Sequence, residues 1–319
     1  MARVEELSVD EIRKRYFERR EPISQQALNR LQRDSRQGVQ KLYASLKKRF
    51  ERERDERARL DAMLHFETVL WKSGVRDIAG VDEAGMAPLA GPVVAAAVMF
   101  PPQTCIEGIN DSKQVDAPTR EKLAAAIRAS ASGVSVGIAT VEEIDAINIY
   151  HAGLLAMRRA VEGLPRAPQH VLVDARTVPG IAMPQNAFNK GDGLNFTIAA
   201  ASIIAKTTRD RMMEELDREY PGYGLAGHKG YPTAEHRDAV VRLGPSPIHR
   251  MSFPVMHELQ GEWSKLFYEL RQRLWDAATR DLLAAFESEL ELHARSLPEV
   301  ECKKLRLMMT RKWKVVVEA

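Results

Sequence analysis

The chain has 319 residues, 45% of them hydrophobic and 29% charged, the proportions of a globular protein of about two domains. It contains no run of ~18 apolar residues, so no membrane-spanning helix is expected, and its charged start, MARVEELSVDEIRKR, lacks the apolar core of a secretory signal. Net charge is only +3, but residues 1–74 hold 18 Lys and Arg against 13 Asp and Glu, so any attraction for a polyanion concentrates there. The two cysteines, Cys105 and Cys302, make neither a disulfide framework nor a metal-ligand spacing, which fits a reducing cytoplasm.

Residues 1–74 read as helical. Ser8 to Glu11 is a capping-box pattern, and Pro22 with Ser24 marks a break and a second start. From Gln37 to Trp71 a long helix is expected, with Leu42, Leu46, Phe50, Leu60, Leu64 and Leu70 at rough helical spacing. Its middle, KKRFERERDERAR, alternates charge signs and reads as a solvated face; the alternative is an arm for nucleic-acid backbone.

Residues 75–254 are mixed. Apolar runs predict strands at 78–81, 93–100, 134–139, 170–173 and around Ala187-Phe188. Helices are expected at 117–130, 141–148, 151–163 and 198–219, the last stopped by Tyr220-Pro221-Gly222. The order implies an α/β domain, a mixed sheet with helices packed on it.

The first strand ends in two adjacent acids, Asp82 and Glu83. Carboxylates at the end of a buried strand are costly without positive compensation, and a hard divalent cation is the usual one. Asp174 ends the apolar run His170–Val173, and Asp192 stands just before the long helix. If these four acids converge they cannot all ionise unaided, and such a cluster suits two metals about 4 Å apart acting on a phosphodiester. Taken singly, Asp174 and Asp192 are as compatible with turn acids as with ligands, and an Asp82-Glu83 pair by itself reads first as an acidic turn facing water.

Ser202 and Lys206, one helical turn apart, are placed to reach a phosphate, whereas Arg209-Asp210 reads as a surface ion pair. Tyr and Lys on the Gly-punctuated loops 220–224 and 228–233 suit stacking and phosphate contact on nucleic acid. His228 and His236 lack partners at zinc spacing, and Pro245–Phe253 is a compact loop whose His249 and Arg250 could meet a backbone phosphate. Residues 255–319 are helical again; Leu266, Leu270 and Leu274, with Phe267, form a packing stripe.

The motifs GVDEAG, DSK (111–113), VDA (173–175), KGD (190–192), AAASIIAKTTRD, YPGYG, HKGYPT and HRMSF stand in an order and spacing that resembles bacterial ribonuclease HII over residues 75–254. The helical lead, 1–74, looks like the N-terminal extension of some members; 255–319 forms a helical C-terminal extension of unknown role. The resemblance implies a ribonuclease H-like mixed five-stranded sheet flanked by helices. It implies a metal-dependent endonuclease that cuts the RNA strand of RNA–DNA hybrids and nicks DNA 5′ of embedded ribonucleotides, leaving 5′-phosphate and 3′-hydroxyl ends. By resemblance Asp82, Glu83, Asp174 and Asp192 bind Mg²⁺ or Mn²⁺ and catalyse, and Tyr231 stacks on the sugar after the ribonucleotide. Lys113, Ser202 and Lys229 are implied phosphate contacts. Nucleic acid is the expected partner, with no membrane and a monomeric protein.

One departure stands out. Where the family reads Gly-Arg-Gly in the turn that senses the ribose 2′-hydroxyl, this chain has Gly85-Met86-Ala87. Loss of the Arg removes a cation, and the Ala Cβ is penalised if its position needs positive φ. A nuclease with shifted substrate choice, or a non-cleaving hybrid-binding protein, are therefore the alternatives. Ala175 in place of Gly is a lesser variation.

Overall fold

The computed structural model describes residues 4–260 and 263–318. Ser8 opens α1 (Val9–Arg13) as the expected capping box: its hydroxyl accepts the Glu11 N–H, and the Glu11 carboxylate accepts the Ser8 N–H. Ser24 caps α2 (Gln25–Gln32) with its side chain. The helix expected over 37–71 is two helices, α3 (Gln37–Met63) and α4 (His65–Lys72), parted at Leu64, whose φ of −83° and ψ of 7° leave the helical region. The break lets Leu60, Met63 and Leu64 enter a core shared with the sheet. The charged middle of α3 is largely exposed and laced by the pairs Lys47–Glu51, Arg49–Glu53 and Arg59–Glu56, as a solvated face requires.

The sheet comprises β1 (Ile78–Ala84), β2 (Val93–Met99), β3 (Gly133–Ala139), β4 (His170–Asp174) and β5 (Gln185–Phe188), in the order β3-β2-β1-β4-β5. β1, β2 and β3 pair antiparallel; β4 lies parallel to β1, and β5 parallel to β4. Alternation along β2 divides the core: Ala96 and Val98 face one side, Ala95, Ala97 and Met99 the other. Onto the first side pack α5 (Ala117–Ser130), capped by Asp116, and further along the chain the long helix. Onto the second packs α6 (Val141–Glu162), which merges the two expected helices across a kink at Asn148, φ 67°. The Asn148 side chain accepts the N–H groups of Tyr150 and His151, so the second half starts with its own cap.

A short α7 (Gly191–Leu194) leads into α8 (Phe196–Glu219), whose first turns carry Ala199, Ala200 and Ala201 fully buried against β1 and β2. Close approach is enforced at Gly80, where an added Cβ would lie 2.1 Å from the Thr197 carbonyl carbon. Glu67 of α4 is buried at the start of α8, accepting from Thr197 N–H (3.0 Å), Thr197 Oγ1 (3.1 Å) and Asn195 Nδ2 (3.1 Å). A carboxylate belongs at a helix N-terminus, where unpaired N–H groups and the helix dipole favour it. The N-terminal segment is thus bolted to the helix that frames the site.

After α9 (Leu225–His228), α10 (Ala234–Leu243) and α11 (Pro254–Gln260), the helices α12 (Lys265–Asp276), α13 (Arg280–His293) and α14 (Glu299–Glu318) enclose a core of their own. Phe267, Leu270 and Leu274 of the expected stripe are buried in it and Leu266 is partly buried, so the stripe is internal packing. Among the described residues no helix is long and apolar enough to cross a membrane.

Candidate active site

Asp82 and Asp174 leave the sheet side by side, because β1 and β4 run parallel with Val81 opposite Val173. Sheet pleat turns Asp82 toward α8, where the nearby Ser202 hydroxyl favours its ionised form; the Ser202 hydroxyl meets Ser112 Oγ at 2.9 Å. Asp192 arrives from α7, and the neighbouring Gly191 N–H donates to Asp174 Oδ1 at 2.6 Å. Lys113 lies 3.4 Å from Asp192 and 3.9 Å from Asp111.

The acids perturb one another. Burial first, then Glu83 and Asp174, push the Asp82 carboxyl well above the usual carboxylate range. Burial and then Asp174 raise Glu83 to about 7, with Arg176 and Lys113 opposing. Asp192 is raised by burial, then by Asp111 and Asp174. Glu83 Oε2 is buried without a hydrogen-bond partner. An all-oxygen acid cluster with an orphaned oxygen and disfavoured ionisation suits a hard divalent cation. The fit is of composition and charge: among the described residues no three Asp, Glu, His or Cys side chains form a preassembled metal cage. A cavity of about 670 Å³, lined by Phe17, Arg20, Arg49 and Arg52, flanks α3 away from the acids.

The structure sorts the other expected residues. Tyr231 is 39% exposed, with Lys206 Nζ 6.0 Å from its ring centre. Lys113 is open to solvent, whereas Lys229 is tied to Glu214 at 2.6 Å and Ser202 is buried against Asp82 and Ser112. Lys206 is taken by Asp210 at 2.6 Å, which leaves Arg209 out of the expected surface pair. Arg209 is instead 1% exposed and Arg250 0%, so neither is a surface cation. They lie under the turn at Gly85–Pro92 and bond its carbonyls. A signal for Arg209 existed: it continues the buried stripe Ile198, Ser202, Ala205, Met213 at helical spacing. Arg250 had none.

His249 is buried as well and meets no exterior phosphate. The Ser246 N–H donates to its Nδ1 at 3.0 Å, so its proton sits on Nε2, which faces His236 Nε2 at 3.1 Å. His236 then donates from Nδ1 to the Tyr231 carbonyl at 3.0 Å. This relay of neutral rings braces the Tyr231 loop, and burial lowers His249 to about 4 and His236 below its ordinary value.

The turn departure is milder than expected and Ala175 is the harsher one. Ala87 is absent from the positive-φ residues, so its Cβ carries no backbone penalty, while Ala175 sits at φ 57°. Met86 folds its sulfur against Gly153 of α6.

Comparison with known proteins gives this geometry a lineage. The family described as Ribonuclease HII matches residues 79–256, and Ribonuclease HII N-terminal domain matches 8–71. The chain belongs to the ribonuclease HII family. A ribonuclease HII of Myxococcus xanthus (strain DK1622) is 54% identical over 255 residues, covering 80% of this chain and 87% of that protein. A ribonuclease HII of Anaeromyxobacter sp. (strain Fw109-5) is 52% identical over 255 residues, covering 80% and 81%. The crystal structure of ribonuclease H2 from Pyrococcus horikoshii OT3 superposes with a TM-score of 0.50 at 29% identity, covering 58% of this chain and 98% of that one. As a ribonuclease HII family member the chain is an endoribonuclease, a hydrolase of phosphodiester bonds. The helices beyond residue 256 lie outside both family matches.

Proposed function

We propose that this ribonuclease hydrolyses the RNA strand of RNA–DNA hybrids and nicks duplex DNA on the 5′ side of an embedded ribonucleotide, using Mg²⁺ or Mn²⁺ and leaving 5′-phosphate and 3′-hydroxyl ends. That chemistry belongs to ribonucleotide removal in replication and repair. The observation that carries the reading is the placement of Asp82 and Asp174 at the ends of neighbouring parallel strands, with Asp174 near enough to disfavour the ionisation of Asp82, Glu83 and Asp192.

In this reading the four carboxylates hold the cation. When bound, it polarises the phosphodiester and lowers the cost of deprotonating water. The chain's own groups orient the substrate. Ser202 favours the ionised Asp82 carboxylate, Lys113 offers an exposed ammonium beside Asp192 to an incoming phosphate, and Tyr231 presents a half-exposed ring to a sugar. The turn Gly85-Met86-Ala87 reads the 2′-hydroxyl through its backbone, which Met86 and Ala87 leave undistorted.

The test uses two labelled duplexes, one with a single ribonucleotide and one with a short ribonucleotide run, with Mg²⁺ or Mn²⁺ and the Asp174→Asn variant as control. Nicking of both by the wild type, lost in the variant, is expected. Cutting confined to the longer run would overturn single-ribonucleotide reading, and binding without any cutting would replace the nuclease by a hybrid-binding protein.

A further inference from the structure

Two arginines sit beneath the turn, and every hydrogen bond they make goes to a backbone carbonyl. Arg250 donates through Nη2 to Gly85 (2.7 Å) and Pro92 (3.3 Å), through Nη1 to Pro88 (2.7 Å) and Met86 (3.3 Å), and through Nε to Gly91 (2.9 Å). Arg209 donates through Nε to Pro92 (3.0 Å), through Nη2 to Ala90 (3.1 Å) and through Nη1 to Lys229 (3.0 Å). Neither forms an ion pair with a carboxylate among the described residues, although both are buried. Burying two adjacent guanidiniums is expensive, and only a dense set of acceptors makes it tolerable.

The direction of those bonds has a consequence. In a trans peptide the C=O of one residue and the N–H of the next point opposite ways, and the chain has no cis bonds. With the Gly85 and Met86 carbonyls drawn onto Arg250, the N–H groups of Met86 and Ala87 point away from it. Neither N–H donates to another group of the protein among the described residues, and Ala87 is exposed. Gly85 is held to this path twice over: its φ is +97°, and a Cβ there would lie 2.1 Å from Arg209 Nε. The bond from Arg209 to the Lys229 carbonyl, with that from Leu89 N–H to the Gly230 carbonyl (2.8 Å), ties the turn to the loop that carries Tyr231.

We infer that Arg209 and Arg250 are positioning residues for ribonucleotide selection: they hold the turn's carbonyls inward, so that two free N–H donors face the substrate, and Arg209 also sets the spacing between that turn and Tyr231. The inference rests on the function proposed above. A lysine keeps the charge but lacks the planar fork that engages several carbonyls at once.

The experiment compares affinity for a duplex holding one ribonucleotide with affinity for the all-DNA duplex of the same sequence. It is done in the Asp174→Asn background so that substrate is not consumed. Arg250→Lys is expected to cut the preference for the ribonucleotide duplex about tenfold while leaving all-DNA affinity unchanged. Arg209→Lys, which disturbs three bonds rather than five, is expected to act the same way more weakly, and serves if Arg250→Lys does not fold. Amide exchange on the chain with both arginines intact supplies a check free of folding damage: the ribonucleotide duplex should protect the Met86 and Ala87 amides more than the all-DNA duplex does. A folded lysine variant with unchanged preference, equal loss on both duplexes, or equal amide protection would overturn the inference. Absence of any preference in the protein with both arginines would instead sink the proposed function.

Discussion

Replacing His249 by Gln should remove a specific share of the protein's acid sensitivity. The wild-type ring is buried and neutral, with its pKa lowered from 6.5 to about 4 by burial first and by His236 second. The unfolded chain binds this proton below about pH 6.5 while the folded chain refuses it until about pH 4, so stability from this group is complete above 6.5 and lost as pH falls between the two values. By linkage the loss is about 2 kcal/mol between about pH 7.5 and about pH 5, and about 3 kcal/mol once both states are protonated. The raised acids Asp82, Glu83 and Asp192 act in the opposite direction, but they are common to both proteins and cancel in the difference. Urea unfolding of wild type and His249→Gln at the two pH values, without added metal, reads the result. The wild type should lose about 2 kcal/mol more than the variant on acidification. Equal losses would refute the neutral imidazole relay under Tyr231.

Gly80→Ala should cost about 3 kcal/mol, because the new Cβ would press on the α8 backbone at Thr197, which cannot yield without lifting Ser202 off Asp82; an unchanged urea midpoint would contradict the close packing. Ala175→Gly should stabilise by about 1 kcal/mol, since it relieves a left-handed Cβ at φ 57°. A lower melting temperature would show that the methyl contributes more than the strain removes. Glu67→Ala should destabilise by about 2 kcal/mol, since it strips the α8 start of a buried acceptor that takes three hydrogen bonds. Its chemical denaturation should also show whether α4 and the sheet still unfold together. Deleting residues 1–74 would remove that acceptor and the core residues Leu60 and Met63, so lost binding after truncation would not isolate a nucleic-acid arm.

The strands, the caps at Ser8 and Ser24, and the four acids at segment ends were legible because each is written in a few neighbouring residues: alternation, a capping oxygen, an apolar run that stops at a charge. Convergence of the acids was readable only as a condition, since it needs β4 to insert beside β1 in parallel, a pairing between segments some ninety residues apart. The break at Leu64 was hidden because helical spacing continues through it, and only the core that receives Leu60 and Met63 requires the turn.

Motif order and local pattern determined the family and the mixed sheet, and singled out the four acids proposed to form the site. Tertiary structure alone decided which cations face water. Arg250 beside His249 carries the local marks of a surface residue, and at Arg209 the adjacent Asp210 competes with the helical stripe, yet both are buried, because carbonyls of a turn more than a hundred residues earlier converge on them. A charge is buried or exposed according to the acceptors that surround it in space, and those acceptors are distant in the chain.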